Sequence, residues 1–251
     1  MARVELSDKV ALVTGSAHRV GRVIALELAK QGANLLVHYN SAKPEQVQET
    51  LHAIEACGVD AFALQADLSR AAGVDALMAA IEDRYERLDI VVNSASVFQA
   101  RDLLDVSLAD WDLTMAVNLR APVLITQRAA RIMAGNPAPG GVIINICDAG
   151  ADGPWKKYPH HGISKSALWM LTQVSALALG PDIRANAIVS GPVMKTAGLG
   201  MSDERWAKVG ERSVLGRTGV PEDVARAVVF LCREDHITGE LLHVNAGEHL
   251  P

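Results

Sequence analysis

The sequence predicts a single α/β domain, doubly wound, with a seven-stranded parallel sheet covered by helices on both faces. Three observations predict it. Short apolar runs without polar alternation are interleaved with segments of helical period along the whole chain. Strands without alternation are buried on both faces, as parallel strands are. A glycine-bearing turn joins the first strand to the first helix, and no repeat, low-complexity block or linker divides residues 1–251, a length ordinary for one α/β domain.

The elements follow in order. Residues 9–14 are a β-rich run that meets Gly15. Residues 19–31 place apolar side chains at 20, 24, 25, 28 and 29, a helical spacing that Gly32 closes. Residues 33–38 are a second strand. Pro44 lies at the start of a helix that runs to Cys57 and ends at Gly58. Residues 60–65, 72–87 and 88–92 read as strand, helix and strand. Residues 108–134 form one long helical stretch that contains Pro122, and residues 136–141 turn. A fifth strand ends at residues 145–148, a helix spans 161–179, and a sixth strand spans 183–189. A glycine-bearing loop at 191–200 leads to a short helix at 202–210 with acids in its first turn. Pro221 opens a further helix, and residues 240–245 are the seventh strand.

Composition narrows the function. With 49% hydrophobic and 21% charged residues the chain can bury a large core. A net charge of −5 without a basic block argues against nucleic acid and anionic membrane surfaces as partners. No apolar run reaches the roughly 18 residues that span a bilayer, and the first residues hold no apolar signal core. Cys57, Cys147 and Cys232 form no CxxC pair, so a reducing cytoplasm is expected. Eight histidines show no metal-ligand spacing, and no metal is expected.

Two stretches carry chemistry. Gly15, Ser16, His18, Arg19, Val20 and Gly21 lie between the first strand and first helix. A glycine turn there lets backbone N–H groups and a helix N-terminus meet a pyrophosphate, as in a Rossmann-type domain, and Arg19 adds a cation. The second stretch joins Asp148, at a strand's C-terminal end, to His161 and Lys165, four apart on one helical face. That end of an open α/β sheet is where ligands bind. Gly150, Gly153, Pro154 and Pro159 turn the chain between them. Asp148 can instead cap the turn before Gly150. Lys165, near a helix start, opposes the helix dipole, which favours a ligand contact for it.

Over nearly its full length the chain resembles the short-chain dehydrogenase/reductase family. Thr14-Gly15 with Gly21 resembles the family's phosphate turn, Asp67-Leu68 its adenine contact, and Asn93-Ser94-Ala95-Ser96 its Asn-Asn-Ala-Gly stretch. Asn118, Asp148, His161 and Lys165 fall on the catalytic Asn, Ser, Tyr and Lys positions, with the steps of thirteen and four residues preserved. Gly191 and Val193 follow the sixth strand where the family contacts nicotinamide, with Thr196 near the carboxamide contact and residues 195–200 and the helix beyond resembling a mobile substrate lid. Arg19 in place of the middle glycine, His38-Tyr39, Asp148 and Phe98 resemble the pteridine reductase branch, in which a Phe stacks on the pterin ring. Ser96, Trp155 and Tyr158 join Phe98 as expected substrate-side residues.

The resemblance implies a hydride transfer between a nicotinamide cofactor and a small molecule, pterin-like or a carbonyl compound. It also implies a homotetramer, for which the sequence itself shows surplus apolar surface on the two long helices. At the end of the second strand His38, Tyr39, Asn40 and Ser41 include no acid to repel a ribose 2′-phosphate, which favours NADP(H), though no Arg fork stands at 40 or 41. The departure is His161. Imidazolium has a reference pKa near 6.5 and can serve as an acid. Three readings stay open: His161 donates the proton, Asp148 or Tyr158 leads, or the chain is a nucleotide-binding pseudoenzyme that senses or scaffolds.

Overall fold

In a computed structural model, residues 3–195 and 200–250 are described. Seven strands form one sheet: β1 (Val10–Val13), β2 (Asn34–Tyr39), β3 (Ala61–Gln65), β4 (Ile90–Asn93), β5 (Gly141–Asp148), β6 (Ile183–Ser190) and β7 (Leu241–Val244). Their order is 3-2-1-4-5-6-7, and every pairing is parallel. The predicted fold class is the observed one.

Strand alternation explains why both faces need cover. Ala11 and Val13 of β1 enter a core with Ile24 and Leu28 of α1 (Arg19–Lys30), Val47 of α2 (Pro44–Glu55) and Val224 and Val228 of α8 (Pro221–Arg233). Val10 and Leu12 enter the opposite core, with Leu77 and Ile81 of α3 (Ala71–Tyr85) and Ile125 and Met133 of α5 (Ala121–Ala134). Each such aliphatic side chain contributes roughly 1.5–3 kcal/mol on full burial. The sequence shows this as unbroken apolar runs rather than alternation.

The long helix expected at 108–134 is not continuous. α4 (Leu108–Met115) passes into a wide π turn, Ala116–Arg120, before α5. The Ala121 N–H reaches the carbonyl of Ala116, five residues back. Pro122 has no amide hydrogen to continue an α-helical ladder, so the widened turn accommodates it. Asn118 sits inside that turn. A short 3-10 turn, Leu103–Asp105, was not foreseen. α6 (Pro159–Leu179) begins with its proline at the first position, two residues before the expected start. α7 (Asp203–Gly210) follows the loop after β6, its Ser202 side chain capping the Arg205 N–H.

The sheet order reverses between β1 and β4, and ligands bind an open sheet at the carboxyl ends flanking such a point. Ile163, Met170, Val174 and Leu177 of α6 and Leu108 of α4 are exposed. Among the described residues no helix is long and apolar enough to cross a membrane.

Candidate active site

A cleft of about 530 Å³ opens over the ends of β1 and β4. Gly15 has φ +69°, and a Cβ there would lie 3.0 Å from the Ala95 Cα. At Gly21 a Cβ would come within 2.3 Å of the Gly15 carbonyl, so α1 packs on the turn as only glycine permits. Thr14 Oγ1 accepts from the amides of Ser94 and Ala95, both at 3.0 Å, and closes the turn against the end of β4. His18, Arg19, Val20, Tyr39, Asn40, Ser41, Asp67, Leu68, Ser94, Ala95 and Ser96 line the cleft as expected.

His38 also lines the cleft, and its ring makes two bonds behind the turn. It is 2% exposed. Its Nδ1 accepts from the Gly15 N–H at 3.0 Å and its Nε2 donates to the Ala66 carbonyl at 3.0 Å. The ring is thus the neutral Nε2–H tautomer, bracing the turn from behind. Burial holds its pKa below the usual histidine value, outweighing the bond to Ala66. Ser16 and Asn93 do not line the cleft. Ser16 is fully buried, with its Oγ donating to the Val13 carbonyl and its N–H to that of His38. Asn93 donates to Asn145 at 2.8 Å, and Asn145 to Thr172 at 2.8 Å, a buried chain pinning β4 to β5 and α6. The Asn93 Oδ1 is left buried without a partner.

Arg19 keeps the left-handed backbone, φ +57°, that favours glycine. Its guanidinium donates to the Lys195 carbonyl at 2.8 Å. His18 Nδ1 is buried without a partner, and burial together with Arg19 lowers the ring's pKa. The glycine cradle and this unpartnered nitrogen fit a dinucleotide.

The reaction centre lies at the end of β5. A Cβ on Gly150 would be 2.7 Å from the Gly162 Cα, so the loop after β5 lies tight on the start of α6. Asp148 Oδ1 accepts the Gly150 N–H at 3.0 Å, the capping bond anticipated as an alternative, while Oδ2 is 2.6 Å from His161 Nε2. His161 Nδ1 is 3.0 Å from the Val97 carbonyl. The Asn118 amide also lies 3.3 Å from Nδ1, but its two hydrogens have nearer acceptors in the Val97 carbonyl and Ser164 Oγ, at 3.0 and 3.1 Å. Its Oδ1 accepts the Val97 N–H at 2.8 Å, which fixes the amide's orientation. Nδ1 therefore carries a hydrogen, donated to Val97.

A mobile proton is thus shared between Nε2 and Asp148. Burial raises the Asp148 pKa, but the hydrogen bond from His161 and the Lys165 charge outweigh it and hold the carboxyl below its usual range. Asp148 is thus held as the carboxylate of the pair. The His161 side chain is 2% exposed against 21% for Asp148, so the carboxylate is the more accessible of the two. Lys165 lines the cleft and donates to the Ile146 carbonyl at 2.7 Å. Asn118, expected among the catalytic groups, does not line the cleft. It holds Val97 and Ser164 in place around His161. The Cys147 thiol nearby is pushed up to about 12 by burial, which removes it as a nucleophile at neutral pH.

A second cavity, about 770 Å³, adjoins Asp148. Phe98, Trp155 and Tyr158 wall it, with one face of Phe98 stacked on Tyr158 at 4.2 Å and its ring edge-on to His161 at 4.8 Å. Gly191 and Val193, expected at the nicotinamide, line this cavity rather than the first, while Ser190 lines both. Thr196 and residues 197–199 of the expected lid fall outside the described residues. The sequence reading missed the Val97 carbonyl and Ser164, because backbone acceptors and helix-facing hydroxyls leave no motif.

Residues 15–249 match the family model described as Enoyl-(Acyl carrier protein) reductase. The short-chain dehydrogenase/reductase FrzI of a Cladobotryum species is 34% identical over 255 residues, covering 96% of each chain. The 3-oxoacyl-[acyl-carrier-protein] reductase FabG of Aquifex aeolicus is 32% identical over 97% of this chain and 98% of that one. The chain belongs to the short-chain dehydrogenase/reductase family. Among solved structures, the angucycline C-6 ketoreductase LanV with bound NADP superposes with a TM-score of 0.90, at 32% identity and 98% coverage of both chains. A blue fluorescent protein from a metagenomic library, in complex with NADPH, gives 0.89 at 32% identity, over 98% of this chain and 99% of that one.

His38 generates a pH prediction. Its folded pKa lies below the unfolded value of about 6.5. The unfolded chain therefore binds the extra proton, and the brace's contribution, full above about pH 6.5, is lost as pH falls below it. The expected result is a melting temperature that drops between pH 7 and 5, less steeply in His38→Asn. Equal slopes in the two proteins would show that the His38 bond to Gly15 does not brace the turn.

Proposed function

We propose that the protein is an NADPH-dependent reductase of a small carbonyl compound. In it Asp148 meets the substrate oxygen and His161, at the family's Tyr position, holds the proton. The observation that carries this is the Asp148–His161 pair, beside Lys165 at the mouth of the nucleotide cleft. FabG, named a 3-oxoacyl reductase, and LanV, named a ketoreductase, support carbonyl reduction. The pseudoenzyme reading is not favoured, since the named relatives are oxidoreductases. A pterin-like substrate, implied by the pteridine reductase-like features, depends on the face of Phe98 that Tyr158 leaves uncovered.

When bound, the nicotinamide supplies the hydride. Gly15, Gly21, His18 and Arg19 would hold the phosphates, Tyr39, Asn40, Ser41, Asp67 and Leu68 the adenosine end, and Lys165 the nicotinamide ribose. The dyad supplies the proton. As the carbonyl oxygen gains negative charge, Asp148 takes the proton on His161 Nε2 and passes it to that oxygen. The products are the alcohol, a neutral imidazole still donating from Nδ1 to Val97, and a carboxylate. Solvent then recharges His161. Lys165, near Asp148, keeps the carboxylate the preferred resting form. Asn118 positions the ring rather than touching substrate. The exposed faces of α4 and α6 support pairing between copies, and a homotetramer is the assembly we propose.

Two experiments test this. Asp148→Asn, which cannot relay a proton, should lower kcat for ketone-dependent NADPH oxidation by about a hundredfold or more. Its NADPH affinity by calorimetry should stay within about threefold, measured against pterins and quinones as well as ketones. Unchanged turnover in Asp148→Asn contradicts the mechanism, as does a silent parent from pH 5 to 8 when His161→Tyr is active. Separately, Arg19→Gly relieves a left-handed side chain worth roughly 1 kcal/mol. It should leave the melting temperature unchanged or higher while weakening NADPH binding about tenfold and NADH binding less. Equal weakening of both nucleotides would refute a phosphate role for Arg19.

A further inference from the structure

One wall of the cavity beside Asp148 is unused by the reaction just described. Arg205, Trp206, Lys208, Val209 and Arg212, on α7 and directly after it, line that wall. Positions 205, 208, 209 and 212 recur at steps of three and four, so they share one helical face. Asp203, Glu204 and Glu211 lie off that face and do not line the cavity. The short helix thus sorts its charges, cations toward the cavity and acids away from it. In a chain of net charge −5 this is against the background.

Two neighbouring lysines are paired with acids where these three residues are not. Lys157, on the same cavity, pairs with Asp102 at 3.0 Å, and Lys195 pairs with Asp203. Among the described residues Arg205, Lys208 and Arg212 are in no ion pair. Two acids line the cavity. Asp148 belongs to the reacting end and is taken by His161. Glu248 lies near Arg212, and burial raises its pKa in spite of that cation. The same wall is apolar between its charges, through Trp206, Val209, Met194 and Met201.

We propose that the substrate is an organic anion: an apolar body whose carbonyl sits at Asp148 and whose far end, a carboxylate or phosphate, lies against Arg205, Lys208 and Arg212. This rests on the reductase reading for the carbonyl end only. Two guanidinium forks and an ammonium on one face suit oxyanions, which they bind by charge-assisted hydrogen bonds. The Trp206 and Val209 surface takes the apolar body. Arg19 lines both the cofactor cleft and this cavity, whereas these three residues line the cavity alone, so the stripe lies outside the cofactor cleft.

Matched substrates test it. Benzoylpropionate is compared with its methyl ester, and acetoacetyl-coenzyme A with the N-acetylcysteamine thioester of the same acyl group. Each pair is assayed in the parent and in Arg205→Gln/Lys208→Gln/Arg212→Gln. The expected result is a kcat/KM ratio of anion to neutral partner of about tenfold or more in the parent, carried by KM, weakened by salt and falling toward one in the triple variant. The pair with the larger ratio tells carboxylate from phosphate. Ratios near one in the parent, or unchanged in the variant, overturn the proposal while leaving the reductase reading intact. Calorimetry with phenylbutanoate, which has no ketone, gives a readout free of turnover. Binding that weakens about tenfold in the variant supports the anion site even if no carbonyl is reduced, and equal binding overturns it.

Discussion

The hydrogen bond of 2.6 Å between His161 and Asp148 is the contact on which the site's geometry depends. It joins the end of β5 to the first turn of α6, and it requires the loop between them to lie flat on Gly162. The Val97 carbonyl then fixes the other ring nitrogen, which ties the segment after β4 into the same unit. Three parts of the chain, far apart in sequence, are held around one proton. A histidine with both nitrogens engaged cannot itself reach a substrate, which is why the proposed mechanism gives that contact to the carboxylate.

Asn118 shows how the fold supports this pair. The π turn at Ala116–Arg120 turns a carboxamide inward from the middle of a helix, and that carboxamide clamps both backbone groups of Val97 and the hydroxyl of Ser164. Pro122 makes the widened turn compatible with the helix beyond. His38 does the equivalent work for the nucleotide turn, bracing Gly15 from beneath. Both are polar side chains that are buried and fully bonded, where a low dielectric makes a satisfied network rigid.

Much of this was legible in the sequence. Unbroken apolar runs gave the parallel sheet, Gly15 and Gly21 gave the turn, and the spacing of Asp148, His161 and Lys165 brought them to one mouth. What was not legible depended on direction. The sequence places His38, Ser16 and Asn93 at strand ends near the nucleotide, but whether a side chain at such an end points into the cleft or back into the sheet is decided by neighbouring layers. Asn118 could be placed in the helix but not in a π turn. The stripe at 205, 208 and 212 had the spacing to be seen, yet a short amphipathic helix shows which residues share a face and not what that face meets.

The proton's place in the dyad is the centre of the account, and nitrogen-15 NMR of the His161 ring measures it directly. Nδ1 should be protonated throughout pH 5 to 8, because its hydrogen is held by the Val97 carbonyl, while Nε2 is the nitrogen whose signal responds to the loss of Asp148 in an asparagine variant. A ring found as the neutral Nε2–H tautomer, with Nδ1 bare and accepting from Asn118, would contradict the account.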